Sequence, residues 1–355
     1  MQNNLWRDVI VSLIGIMTLI YFGRGAASLP ETVSSVPPPT FVSPSGVEHA
    51  VAQPMSAVAL PPTKFISASG LGHAAPAQIL PMQPTKRLLW GAYAGASPSD
   101  VTAFETLVGA RVDLVATFYG WYDKFPLHYG SLVRDEGKTL VIFWEQYGVT
   151  LDEITSGASD AYIRQFAEDA RNYGGPVLLA PFHEMNGYWT PWSGVNGNNN
   201  AQKVVLAWQH VRDLFRDTPN VRFVWAVNSD SVPDTAANSI AAYYPGDRYV
   251  DDVAINGFNF GDPWMSFGDI FEKPLAELQL YRKPIYILSL ASAEGPQKAA
   301  WITDALSIAI PRHPEIVGWI WFNEKKEADW TVNSDPNALA EFQNALRHQN
   351  STLPS

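Results

Sequence analysis

The chain has no cysteine. A disulfide, a thiolate metal site and a cysteine nucleophile are thereby excluded. Basic residues are scarce, with 24 Lys and Arg against 35 Asp and Glu, for a net charge of −11. Nucleic acid and anionic lipid surfaces call for basic patches, so neither is an expected partner of the folded part. No apolar run reaches the roughly twenty residues of an ordinary membrane span. The longest, residues 9–22, has fourteen, with Arg7 before it and Arg24 after. That length suits a signal-peptide core with cleavage after Gly25-Ala26-Ala27, or a tilted anchor in the membrane, and either would export the downstream chain. Several catalytic patterns are also missing. There is no HExxH for zinc and no GxSxG nucleophile elbow. Gly91-Ala92-Tyr93-Ala94-Gly95 lacks the spacing of a dinucleotide-binding loop. No cofactor is expected, and a monomer is.

The residues that are present divide the chain. Residues 28–85 hold eleven of the 27 prolines and only three charged residues, without hydrophobic periodicity. Such a composition cannot bury a core and reads as a disordered tether. From residue 86 to about 350, eight buried-strand patterns alternate with helical ones; residues 351–355 are a tail. The strands are expected at 88–93, 112–118, 139–144, 177–182, 221–227, 250–258, 284–290 and 316–322. Helical periodicity covers 101–108, 158–173, 202–215, 270–280, 297–310 and 337–346, while the second and fifth crossovers are weak. Eight strands and their crossovers in about 265 residues predict a single (β/α)8 TIM barrel, in the α/β class.

In a barrel the working residues stand at the carboxyl ends of the strands. Those ends carry Tyr119, Trp121, Trp144 and Glu145, then His183, Glu184 and Asn186 with Trp189 and Trp192 beyond. They continue with Trp225, Asn228, Asn256, Phe258, Asn259, Trp264, Ser289, Ser292, Trp321, Asn323 and Glu324. Aromatic faces interleaved with amides and carboxylates suit the rings and hydroxyls of a neutral polysaccharide. His183 and Glu184, as neighbours on a strand, are expected on opposite faces, which argues against a shared metal site.

The motif His183-Glu184-Met185-Asn186-Gly187 with Trp189 and Trp192 resembles glycoside hydrolase family 26, the β-mannanase and lichenase family of retaining endoglycanases. Segments 220–228, 243–259, 283–292, 298–302 and 321–330 are similar to family segments in the same order. The resemblance covers residues 86–347 and implies Glu184 as the general acid/base, His183 as a substrate-side residue and the tryptophans as an aromatic platform. A retaining mechanism needs a second carboxylate, the nucleophile, about 5–5.5 Å from the first. The resemblance places it at the end of the seventh strand, where this chain has Ser289 in Ile287-Leu288-Ser289-Leu290-Ala291-Ser292. Phe258 stands where the family pattern has a tyrosine that bonds the nucleophile. A hydroxyl carries no charge to stabilise an oxocarbenium ion, and its alkoxide would need its own base. Glu145, Asp262, Glu294 and Glu324 are the other acids near strand ends. Two functions are therefore expected to compete: hydrolysis of a mannan- or β-glucan-type polysaccharide, weak or lost, and glycan binding without cleavage in exopolysaccharide assembly or export.

Overall fold

The structure is a computed structural model that describes residues 87–351. The expected leader, the proline-rich tether and the last four residues of the tail lie outside the described residues. Eight strands form: β1 Leu89–Tyr93, β2 Leu114–Gly120, β3 Thr139–Glu145, β4 Val177–Pro181, β5 Val221–Asn228, β6 Asp252–Asn259, β7 Ile285–Ser292 and β8 Ile316–Phe322. Each pairs in parallel with the next, and β8 pairs with β1 to close the barrel. Every expected strand is found, with its ends displaced by at most two residues.

Alternation along the strands makes two cores. Leu114, Ala116, Val141, Phe143, Leu178, Ala180, Val224, Ala226, Leu288 and Ile320 fill the barrel interior. Their neighbours, among them Val115, Ile142, Leu179, Trp225, Ile287 and Trp321, face the surrounding helices. Both faces are therefore apolar, which is why the strands read as continuous hydrophobic runs. Gly91 of β1 is a forced choice. A Cβ there would lie 2.2 Å from the Leu114 carbonyl oxygen of β2.

The helices are α1 Pro98–Val108, α2 Leu127–Asp135, α3 Leu151–Thr155, α4 Asp160–Tyr173, α5 Ala201–Leu214, α6 Phe267–Leu278, α7 Lys298–Ile302, α8 Ile310–Arg312 and α9 Pro336–Ser351. A π-helical stretch, Thr303–Ala309, joins α7 to α8. Ser97 Oγ accepts the Asp100 N–H and the Ser97 N–H donates to the Asp100 carboxylate, so the start of α1 is fixed by four residues of sequence. The weak fifth crossover is indeed irregular, with three short 3-10 turns between residues 236 and 249. The second is a nine-residue helix, α2, which buries Tyr129, Gly130 and Val133. Its apolar face is too narrow for the periodicity to have announced it.

Candidate active site

Strand β4 ends at Pro181, and the backbone then does something its sequence does not advertise. Phe182 and Glu184 both adopt left-handed conformations, with φ of 50° and 56°. For residues with a Cβ this costs about 1–2 kcal/mol each. The surroundings hold the turn in place. Gln146 accepts the Phe182 N–H at 2.9 Å and donates its own amide to the Trp144 carbonyl at 2.6 Å. The Glu184 N–H donates to Ala226 O of β5 at 2.9 Å, and Trp192 Nε1 donates to His183 O at 2.8 Å. This double left-handed turn breaks strand alternation, so His183 and Glu184 line the same cleft. The expectation that they face opposite sides is corrected accordingly.

Glu184 is held at both oxygens. Oε2 accepts from Trp189 Nε1 at 2.7 Å, and Oε1 accepts from Asn256 Nδ2 of β6 at 2.9 Å. Lone pairs remain on each oxygen for a ligand. His183 sits edge-on to Phe118 and Phe143, with Nε2 3.7 Å from Glu145 Oε1. Neither imidazole nitrogen has a hydrogen-bond partner, and neither has the buried Oδ1 of Asn256. Buried polar atoms are almost always satisfied, and His183 and Asn256, which carry these three, both line the cleft.

The cleft has a volume of about 150 Å³. Phe118, Phe143, Phe258, Phe260, Phe322 and Trp330 give it an aromatic floor, with Phe118 stacked on Phe143 at 4.7 Å and Phe258 against Trp330 at 5.1 Å. Tyr147, Tyr188 and Trp189 line it as well, as do the acids Glu145, Asp230, Asp262 and Glu327. Ser289 opens into the same space. A register shift in β6–β7 places Ser289 directly opposite Asn256, the residue that holds Glu184. Among the described residues no group of three or more His, Asp or Glu side chains is arranged to hold a metal ion.

Of the strand-end residues expected at the site, Glu145, His183, Glu184, Trp189, Asn228, Asn256, Phe258 and Ser289 come together in the cleft. The others do not. Trp225 is buried outside the barrel against Tyr244 and Tyr281, and Trp321 packs there against Trp301 and Phe342. Tyr119, half-buried, sits in that helix-facing layer too, where burial raises the pKa of its phenol. Trp264 packs over Gly295, outside the cleft lining. Trp192 is fully buried and braces His183 rather than offering a face to a sugar. Asn186 is a brace as well: Nδ2 donates to Asn228 O at 3.0 Å and Oδ1 accepts the Asn228 N–H at 2.8 Å. Of the other acids, Glu294 is exposed, and Glu324 is engaged by the Tyr93 hydroxyl, with burial pushing its carboxyl above the usual range. Trp330 and Glu327 are site residues that strand-end reading did not single out.

Trp330 and Glu327 are carried by the loop after β8, and that loop hangs on a buried lysine. Lys298, fully buried at the start of α7, donates to Asp329 O at 3.0 Å, Thr331 O at 2.8 Å and Ser334 Oγ at 2.9 Å. Burial lowers its ammonium to about 8. An unfolded lysine titrates near 10.4, so between about pH 8 and 10 the unfolded chain binds more protons than the folded one. Stability gained from this group therefore rises with pH across that window, by up to about 1.4 kcal/mol per pH unit. Urea unfolding from pH 7.5 to 9.5 should show that upward slope in the wild type and its loss in Lys298→Met.

The sequence matches Glycosyl hydrolase family 26 over residues 118–346. The chain belongs to this family. Endoglucanase H of Acetivibrio thermocellus is 36% identical over 271 residues, spanning 72% of this chain and 30% of that protein. Mannan endo-1,4-beta-mannosidase A and B of Caldalkalibacillus mannanilyticus is 25% identical over 177 residues, spanning 48% of this chain and 32% of that protein. The chain thus covers about a third of the length of these two relatives. Among solved structures, a GH26 β-mannanase from Bacteroides ovatus shares 16% identity with a TM-score of 0.58, over 74% of this chain and 89% of that one. The catalytic domain of a Bacillus sp. JAMB-750 GH26 endo-β-1,4-mannanase gives the same identity and TM-score, over 74% and 86%. At that identity the likeness concerns the fold. The barrel fold is therefore common ground, and the residues in this chain's own cleft carry the functional argument.

Proposed function

We propose that this barrel engages a neutral β-linked polysaccharide of the β-glucan or mannan type, with Glu184 as the acid/base and with hydrolysis weak or lost. The observation that carries the reading is the pairing within one cleft of a doubly anchored Glu184 and Ser289. An acid/base without a nucleophile retains general acid assistance, worth roughly 10²–10⁴ in rate, far below what glycoside cleavage requires. The orphaned nitrogens of His183 and the Asn256 oxygen suit sugar hydroxyls, and the aromatic walls suit pyranose faces. The higher identity to endoglucanase H than to the mannosidases favours a β-glucan backbone.

Ser289 favours a second reading on the same cleft, a glycan-binding domain in exopolysaccharide assembly or export. Residues 9–22 and 28–85 would then serve as leader or membrane anchor and as tether, holding a monomeric barrel outside the membrane.

Titration calorimetry with mixed-linkage β-glucan oligosaccharides and mannohexaose tests the shared claim. Binding to one or both is expected. Trp189→Ala removes both an aromatic wall and a donor to Glu184, and is expected to weaken binding at least ~10-fold, as loss of a stacked aromatic does. Absence of binding to either glycan by the folded wild type would sink the proposal.

A further inference from the structure

The cleft has one wall that the barrel strands do not supply. Phe118, Phe143, Phe258 and Phe322 stand on strands, whereas Lys326, Glu327 and Trp330 come from the loop after β8. That loop is closed by its own bonds. Lys325 and Asp329 pair as a short antiparallel bridge, with their side chains 2.6 Å apart. The Trp330 N–H donates to Glu324 O at 3.0 Å, and Asp329 Oδ1 accepts the Thr331 N–H at 3.1 Å. A segment satisfied in this way can be displaced as one piece. It is tied to the barrel by Trp321 Nε1, which donates to Trp330 O at 3.0 Å, by the packing of Trp330 on Phe258 and Phe260, and by Lys298.

Lys298 is an unusual tie. It is fully buried, and all three N–H donors of its ammonium are used, on Asp329 O, Thr331 O and Ser334 Oγ. Two of these partners are carbonyls, which only accept. The third is a hydroxyl, which also donates. A neutral amine has two N–H donors and one lone pair, so it satisfies the same three atoms: the carbonyls accept from it and the Ser334 hydroxyl donates to it. The cradle therefore holds either protonation state without losing a bond, and burial penalises only the charged one.

We propose that Lys298 is a positioning residue for the glycan cleft: it latches the β8 loop, and that loop opens and closes the wall formed by Trp330 and Glu327. The glycan as ligand rests on the proposed function; the latch does not. Opening the loop hands Lys298 to water, so opening takes up a proton. The closed state holds the ammonium at about 8, and a lysine in water titrates at about 10.4. Between those values the open loop binds more protons than the closed one, so closure strengthens as pH rises, by up to about tenfold per unit. The charged groups facing Lys298 are Asp329 and Lys325 of the loop, Glu294 ahead of α7 and Asp335 ahead of α9. Carboxylates in general titrate at about 4, and the Asp329 carboxylate holds the Lys325 ammonium above its ordinary value. Lys298 is therefore the member of this set that changes charge between pH 7.5 and 9.5.

The test follows hydrogen exchange of the full chain by mass spectrometry, corrected for the intrinsic pH dependence of exchange. Peptides covering residues 325–335 should exchange at least ~10-fold faster than the β4 segment 177–181, which marks an opening short of unfolding. Their protection should rise at least ~10-fold from pH 7.5 to 9.5 in the wild type and stay level from pH 6 to 7. Lys298→Met should abolish the rise. Mixed-linkage β-glucan oligosaccharides or mannohexaose at saturation should protect the same peptides a further ~10-fold. Loop protection equal to that of β4, or a wild-type profile flat from pH 7.5 to 9.5, overturns the inference, and either result is read without the variant should Lys298→Met not fold. A glycan that calorimetry shows bound and that leaves loop protection unchanged also overturns it, while the proposed function stands. If neither glycan binds and the alkaline rise is present, the proposed function falls and the latch stands.

Discussion

Ser289→Glu is expected to raise hydrolysis of mixed-linkage β-glucan or mannan by ~10³-fold or more over the wild-type chain. Loss of a catalytic nucleophile in a hydrolase costs up to ~10⁶ in rate, and restoring one recovers part of that cost. The receiving position is favourable. Residue 289 sits on a rigid strand, opposite Asn256, in a cleft that already contains the bonded acid Glu184. Recovery should nevertheless be incomplete, because Phe258 offers the new carboxylate no hydrogen bond. Its ring packs among Phe260, Phe322 and Trp330. Adding Phe258→Tyr is expected to improve the Ser289→Glu enzyme by ~10-fold, the worth of one hydrogen bond to a charged group. Reducing-sugar release gives both comparisons. A folded Ser289→Glu chain that binds glycan and still leaves it intact would show that Glu184 is not placed to act as its acid.

The second large effect is on stability. Gly91→Ala should lower the unfolding free energy by about 3 kcal/mol or more, at the upper end of overpacking costs. The new Cβ would lie 2.2 Å from Leu114 O and 2.5 Å from Leu114 Cβ. The nearest obstacle is the backbone of a paired strand, which cannot rotate aside as a side chain can. β1 and β2 would have to separate where Gly91 and Leu114 pair, and a closed barrel passes that displacement to its other strands. For a domain of this size the loss corresponds to a melting temperature lower by about 6–10 °C. Gly268→Ala in α6 is the matched control. Its Cβ would meet atoms no closer than 3.5 Å, and a helical position gains from alanine. It should melt at or above the wild-type temperature.

The strands were legible because both of their faces are apolar, and runs such as Val177–Ala180 admit little else. The place of Glu184 in the cleft was legible from the motif around it. Which indoles reach the cleft was also available in principle, since Val224 and Ala226 share the inner face of β5 and Trp225 between them must face out. The same parity sends Ile320 inward and Trp321 outward. A tryptophan at a strand end can serve as a sugar platform only where that alternation turns it inward. Two features were not legible. Asn256 meets Glu184 across 72 positions of sequence, brought together by closure of the barrel. The left-handed turn at Phe182 and Glu184 carries no glycine or asparagine to announce it. It exists because Gln146 and Ala226 satisfy backbone groups that would otherwise be stranded.

That turn mounts Glu184 independently of position 289. Backbone contacts to Glu184 and its neighbours come from Gln146, Ala226 and Trp192, and its carboxylate is held by Trp189 and Asn256. None of these groups belongs to β7. An exchange of the residue at 289 therefore removes none of the hydrogen bonds that hold Glu184. Glu184 and Ser289 are thus two independently mounted residues that share one cleft.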